Sequence, residues 1–398
     1  RNLDATTSEE AYALADVIVV DVPLDVADRT VCDPSGIRLD LAPFEAAIRA
    51  IGRQMRPEAL VFVETTVPMG TTRETVLPIL REELQRRGFS GDPLVAHAYE
   101  RVMPGPRYVD SIRRFWRTFA GVDEASAVRA RTFIEAITDT DDHPTRQLAE
   151  TTASEMAKLL ENSYRAANIA FIHEWTLMAE ELGVNLFEVV DSIRVRKGTH
   201  DNMRYPGFGV GGYCLTKDSL LAQWSLTHRF GSSHRLGVTL EALRINYEMP
   251  RHTLELLQRL LGDLRGRTIT LCGLSYLAEI PDTRNTPTEL LVEDLKVQGA
   301  NLLLHDPVTH RWPEHPEIPV TEDLAACLRR SDGIVLAIPH RAYLELDLRR
   351  LQTLLKPGAV LVDAQNVLDD AKAEGLHKQG HRLLGVGKGH WRTRGYER

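Results

Sequence analysis

Asp16-Val17-Ile18-Val19-Val20-Asp21-Val22-Pro23 is an unbroken, β-branched run of strand length. A run without polar alternation predicts a strand covered on both faces in a parallel sheet. The flanking sequence alternates in kind. Residues 8–16 read as a helix running into this strand, and 41–54 carry apolar residues at helical spacing. Ala59-Leu60-Val61-Phe62-Val63-Glu64 is a second apolar strand. Residues 71–87 read as a helix that Gly88 stops, and Leu94-Val95-Ala96-His97 as a short strand. This alternation predicts a doubly wound α/β domain over residues 1–143.

The middle differs. From Thr145 to Leu182 there is neither Pro nor Gly, and Met156, Leu159, Leu160, Tyr164, Ala167, Ile169 and Ile172 recur at helical spacing. A helix of that length needs a partner, in the same chain or across a dimer. Gly183 ends it, and further helices are expected at 186–194, 218–227 and 236–261. Residues 144–250 therefore read as a helical central domain. Residues 251–398 alternate again: strands at 267–274, 301–305, 332–339 and 358–363, with a helix at 288–298. A second open α/β sheet follows.

Bulk properties narrow the field. A chain of 398 residues exceeds one hydrophobic core. A net charge of -8 argues against a nucleic-acid partner, although a local basic site still serves a phosphate-bearing small molecule. Cys32, Cys214, Cys272 and Cys327 are widely spaced, with no CxxC pair, which predicts neither a structural zinc nor a disulfide scaffold. The longest apolar runs, such as 334–339, are strand-sized and predict no membrane span. No signal peptide is legible, so the cytoplasm is expected. The chain opens on Arg1 and enters structure at once, which reads as sequence preceded by more chain.

One segment carries chemistry. Gly207-Phe208-Gly209-Val210-Gly211-Gly212-Tyr213-Cys214-Leu215-Thr216-Lys217-Asp218 puts a cysteine between a glycine-rich turn and an expected helix. Glycines let backbone approach a ligand and adopt positive φ. A cysteine at a helix N-terminus is favoured as thiolate, and Lys217 adds positive charge. The competing reading is a glycine-rich turn around a small buried cysteine.

The segment resembles the GxGxGGxCxxKD signature of the UDP-glucose and GDP-mannose dehydrogenase family, the nucleotide-sugar 6-dehydrogenases. Four other stretches are similar to family motifs in the same order. They are Glu64-Thr65-Thr66-Val67-Pro68-Met69-Gly70-Thr71-Thr72, Tyr99-Glu100-Arg101-Val102-Met103-Pro104-Gly105, Glu155-Met156-Ala157-Lys158-Leu159-Leu160-Glu161-Asn162, and Asp282-Thr283-Arg284-Asn285-Thr286-Pro287 with Asp306-Pro307. The second is in the style of the N-acetylmannosamine branch. The resemblance implies an α/β fold: two doubly wound Rossmann-like domains joined by a helical central domain with a long dimerising helix. The family opens with a βαβ unit carrying a GxGxxG pyrophosphate loop, and no such motif precedes Asp16. Residues 207–212 fit that fingerprint only superficially, because a helical region precedes them rather than a strand.

What the resemblance implies is an enzyme that oxidises a sugar CH2OH to a carboxylate in two hydride transfers to NAD. Cys214 matches the nucleophile that forms a thiohemiacetal and then a thioester. Lys158 and Asn162, one turn apart on one helix face, match the pair that holds the developing alkoxide. Asp218 and Glu100 match carboxylates of the acid–base network, and Thr66 a hydroxyl beside the nicotinamide. Val22, Pro23, Thr65, Thr66, Lys217 and Arg284 match the cofactor side. Glu100, Arg101, Lys158, Asn162, Gly207, Gly209, Gly211, Gly212 and Tyr276 match the substrate side. A homodimer without metal, nucleic acid or membrane is the implied state.

Departures accompany the matches. Leu277 and Gln365 stand where the family usually has Lys and Arg that contact the nucleotide-sugar, Tyr213 and Tyr99 replace His or Ser and Pro, and Leu24 replaces Thr. These changes predict a substrate other than a standard UDP-sugar, or one held by Arg194, Arg196, Lys197 or Arg204. Two further readings stay open here: a single oxidation that releases aldehyde, and a non-catalytic ligand binder.

Overall fold

The computed structural model describes residues 3–31, 33–105 and 107–398, so Cys32 lies outside the described residues. The chain folds as two compact units. One comprises Arg1–Ser163 and Lys217–Gly237; the other comprises Tyr164–Thr216 and Val238–Arg398. The central segment read from sequence is thus shared between them.

In the first unit β1 (Val17–Val20), β2 (Leu60–Val63), β3 (Leu94–Ala98), β4 (Thr118–Gly121) and β5 (Arg146–Gln147) lie in chain order. β1, β2 and β3 are parallel, β4 runs antiparallel to β3, and β5 parallel to β4. Helices cover both faces. Phe44, Ile48 and Leu80 of helices Ala42–Gln54 and Leu77–Arg86 pack on Val61 and Val63. Ala127, Ala130 and Ile134 of helix Glu124–Ile137 pack on Phe62 and Ala96. Every residue of β2 is buried, as its sequence predicts. β1 departs from its expected double cover. It pairs with β2, Val19 is 38% exposed, and helix Glu124–Ile137 covers β2, β3 and β4 on that side.

The helix expected over 71–87 begins as a π-turn, Thr72–Val76, before its α-helical part. Pro78 has no N–H to offer the fourth carbonyl back, which loosens that turn. Gly88, at φ +84, stops the helix as expected. Helix Glu124–Ile137 and strands β4 and β5 were not legible. The first is capped by Asp123, whose carboxylate accepts the Ser126 N–H at 2.8 Å.

In the second unit β6 (Thr268–Cys272), β7 (Asn301–His305), β8 (Val320–Thr321), β9 (Gly333–Leu336), β10 (Val360–Asp363) and β11 (Arg382–Gly385) form a parallel sheet ordered β11-β10-β9-β6-β7-β8. The chain builds β7 and β8 on one side of β6, then crosses to β9 on the other. That reversal is the switch point of a doubly wound sheet, beside which such folds bind ligands. Leu257 and Leu291 cover one face against Ile269 and Val335; Tyr343 and Leu376 cover the other against Ile334 and Leu361.

The long helix spans Thr151–Leu182. In the second unit its Ile172 and Ala179 pack against Leu186 and Val190 of helix Leu186–Arg194. Among the described residues no helix is long and apolar enough to cross a membrane.

Candidate active site

The glycine-rich loop belongs to the second unit, and its glycines are dictated by the protein around it. A Cβ on Gly211 would lie 2.7 Å from the Asn285 carbonyl oxygen and 2.7 Å from the Tyr276 Cβ. One on Gly209 would lie 2.6 Å from Pro287, and one on Gly207 3.1 Å from the Gln365 side chain. Gly212, at φ +85, donates its N–H to the Arg284 carbonyl at 3.2 Å. The loop is therefore threaded between Tyr276, the 284–287 segment and Gln365. No strand precedes it, since helix Leu186–Arg194 is the preceding element.

Cys214 follows this loop and is half-buried. The helix expected from residue 218 does start at Asp218, four residues after Cys214. Dipole stabilisation fades within one turn, so this spacing weakens the helix-end reading of Cys214. Tyr276 is half-buried; burial and the nearby Asp282 push its phenol up, Arg284 opposes this, and Cys214 adds a smaller upward push. Arg284 is exposed, forks onto Asp282 at 2.6 and 3.0 Å, and lies 5.8 Å over the Tyr213 ring.

The first unit gathers the other predicted residues. Asn162 donates to the Asp218 carboxylate at 2.6 Å, and Lys217 donates to its second oxygen at 3.0 Å. All three side chains are buried. Ser163 and Ser219 meet beside them at 2.9 Å. One helical turn before Asn162, Lys158 donates to the Glu100 carbonyl at 2.9 Å and to its carboxylate at 3.2 Å. The other Glu100 oxygen accepts the Val102 N–H at 2.5 Å. Arg101 turns aside to Glu161, the Trp116 carbonyl and the Tyr99 hydroxyl. Lys217, read as a cofactor-side cation, directs its ammonium to Asp218.

Residues outside the predicted set complete this arrangement. Glu155, on the same helix as Lys158, accepts the Gly70 N–H at 2.5 Å and the Thr72 N–H at 2.8 Å. Burial pushes its carboxyl up to about 7. Its spacing from Lys158 and Asn162 was the available signal. His97 on β3 is buried, with Nδ1 2.8 Å from the Ser154 hydroxyl. Burial, with Lys158 adding to it, drives its imidazole down to about 3. Asp21 and Glu64, at the ends of β1 and β2, line a cavity of 390 Å³ with Glu100 and Tyr108.

Residues that the sequence assigns to the cofactor side stand at the same edge. Val22 and Pro23 follow β1, and Thr65 and Thr66 follow β2, with the Thr65 N–H on the Val20 carbonyl at 3.1 Å. Val22 and Pro23 offer apolar groups and Thr65 and Thr66 hydroxyls at the strand ends, where open α/β sheets bind ligands, and such groups suit a flat ring bearing an amide. The amides of Gly70 and Thr72 are taken by Glu155 and so are not open to a phosphate. The residues fit the ring end of NAD.

A doubly wound sheet in each unit, with carboxylates, hydroxyls and a buried lysine at the strand ends, defines a nucleotide-using α/β enzyme. Comparison with known proteins makes it specific. Residues 1–135 match the NAD binding domain of the UDP-glucose/GDP-mannose dehydrogenase family, 152–246 its central domain, and 270–370 its UDP binding domain. The UDP-N-acetyl-D-mannosamine dehydrogenase of Pyrococcus horikoshii is 30% identical over 89% of this chain and 79% of its own. The NDP-N-acetyl-D-galactosaminuronic acid dehydrogenase of Ralstonia nicotianae is 29% identical over 88% and 79%. The solved NDP-N-acetyl-D-galactosaminuronic acid dehydrogenase of Methanosarcina mazei superposes with a TM-score of 0.82 at 28% identity, over 96% of this chain and 80% of that one. The chain belongs to the UDP-glucose/GDP-mannose dehydrogenase family and is an NAD-dependent oxidoreductase of nucleotide-sugars.

Proposed function

We propose that this enzyme converts the primary alcohol of a nucleotide-sugar to a carboxylate in two oxidations, through a thiohemiacetal and a thioester on Cys214. NAD, when bound, accepts the hydride of each oxidation. Val22, Pro23, Thr65 and Thr66 hold its ring end, and Arg284 is assigned as a further cation for the cofactor. Lys158 and Asn162 stabilise the alkoxide that forms when the alcohol loses its proton. The thiol of Cys214 adds to the aldehyde carbon and its proton passes to the carbonyl oxygen, giving the thiohemiacetal. After the second oxidation, Glu100 takes a proton from the water that attacks the thioester, and Asp218 orients the hydrogen-bond network. Gly207, Gly209, Gly211 and Gly212, with Tyr276 and Arg101, shape the sugar site.

The observation that supports this most is the buried Asn162–Asp218–Lys217 network. Ionised groups out of water are costly to keep without a use. Lys217 in this reading holds Asp218 in place rather than meeting the cofactor. Leu277 and Gln365 point to a substrate held with fewer cations than a standard UDP-sugar requires. The divisions at 143/144 and 250/251 mark the functional segments of this scheme. The long helix carries Met156, Leu160, Tyr164, Phe171, Trp175, Met178 and Leu182 exposed at three-, four- and seven-residue spacing. That stripe fits a second copy of the helix, hence a homodimer.

The test is the stoichiometry of turnover. Two NADH for each substrate consumed, with carboxylate as product, is expected. One NADH with released aldehyde would replace this scheme with a single oxidation.

A further inference from the structure

The cavity at the ends of β1, β2 and β3 has an unusual charge balance. Its carboxylates are Asp21, Glu64 and Glu100; the rest of its wall is Tyr108, Val102, Pro104, Ile112 and Ile137. Two of the three carboxylates are matched. Glu64 is paired with the buried Arg117, and Glu100 with Lys158. Asp21 is matched by neither. Among the described residues its carboxylate has no hydrogen-bonding partner, and it remains exposed to solvent. The charged or titratable groups facing it are Glu64 from the end of β2, Glu100 from the end of β3, Arg117 ahead of β4, Lys158 behind Glu100, and Tyr108. Burial and the Glu100 charge push the Asp21 carboxyl up, with Arg117 opposing. The Glu64 carboxyl is also pushed up, by burial first and then by Asp21 and Glu100, against Arg117.

We infer that Asp21 is a positioning residue for proton release: it takes protons from Glu100 through water in this cavity and passes them to solvent. The inference rests on the proposed four-electron reaction. That reaction takes an alcohol, one water and two NAD+ to a carboxylate, two NADH and three protons, so the site must export protons. In the last step the water oxygen bonds to the thioester carbon and the C–S bond breaks to leave the Cys214 thiolate. The water proton moves to Glu100. Glu100 is held in place by Lys158 and the Val102 N–H, and it must hand the proton on before it can serve as base in another turn. Asp21 is the remaining carboxylate of the cavity without a cation, it is open to water, and its surroundings favour taking up a proton. Its place directly after β1 fixes it on the rim of the cavity.

The test compares pH profiles of kcat for the wild-type chain, Asp21→Asn and Asp21→Glu. Asp21→Asn is expected to lower the plateau by about tenfold, below the ~10² of a direct acid–base group. It is also expected to displace the acid limb to lower pH, because the group that titrates there is gone. Asp21→Glu should restore both. An unmoved acid limb in Asp21→Asn, whatever the plateau, overturns the inference. A second measurement needs no turnover and so separates this inference from the proposed reaction. The 13C-carboxyl titration of Asp21 should lie above the ordinary aspartate range and fall in Glu100→Gln. An ordinary midpoint that ignores Glu100→Gln also overturns it.

Discussion

Asn162 gives its amide N–H to the Asp218 carboxylate across 2.6 Å, joining the long helix to the first residue of helix Asp218–Trp224 within one compact unit. The bond leaves the second Asp218 oxygen to Lys217, so one buried carboxylate fixes two buried side chains. Asp218→Ala would remove the carboxylate to which both Lys217 and Asn162 donate. A loss of about 3–5 kcal/mol in denaturant unfolding is expected. Asp218→Asn keeps a hydrogen-bonding group and should cost less stability, while still lowering kcat by about 10² or more. Urea melts and NADH production of both variants check this.

His97 predicts an acid sensitivity. Its imidazole, buried against Ser154, is held down to about 3, whereas an unfolded histidine titrates near 6.5. Its folded value is depressed, so the unfolded chain binds the extra proton. Stability is fully present above 6.5 and falls as pH drops from 6.5 towards 3, by about 1.4 kcal/mol per pH unit from this residue. In His97→Gln that share of the slope should vanish. Urea midpoints measured between pH 5 and 7.5 for the two proteins give the comparison.

Leu277 and Gln365 make substrate affinity adjustable. Both lie in the second unit beside the glycine-rich loop, Gln365 against Gly207 and Leu277 next to Tyr276, which abuts Gly211 and Gly212. Leu277→Lys with Gln365→Arg should tighten UDP binding by about 10- to 100-fold for each charge-assisted bond formed, worth roughly 1.5–3 kcal/mol apiece. Calorimetric titration with UDP reads this directly, and an unchanged Kd would locate the diphosphate elsewhere.

The sequence made some of this legible for clear reasons. β2 and β7 are short apolar runs bounded by turns, and both fold where expected. Lys158 and Asn162 share a helix face because four residues make one turn, and the fold buries both. β4 was missed because Thr118-Phe119-Ala120-Gly121 is too short and mixed to show a period. The reasons for the glycines were also hidden: Tyr276, Pro287 and Gln365, which crowd them, lie far along the chain. Asp21, Glu64 and Arg117 gain meaning only when strands distant in sequence end at one cavity, which no local pattern reports.

The central claim is covalent catalysis at Cys214, and the carboxylate yield of Cys214→Ser tests it most directly. With wild-type enzyme, NAD+ and a turned-over nucleotide-sugar, both NADH and carboxylate are expected. Cys214→Ser should form no measurable carboxylate over the same time while remaining folded and binding NAD+. Carboxylate formed by Cys214→Ser at the wild-type rate would contradict the account.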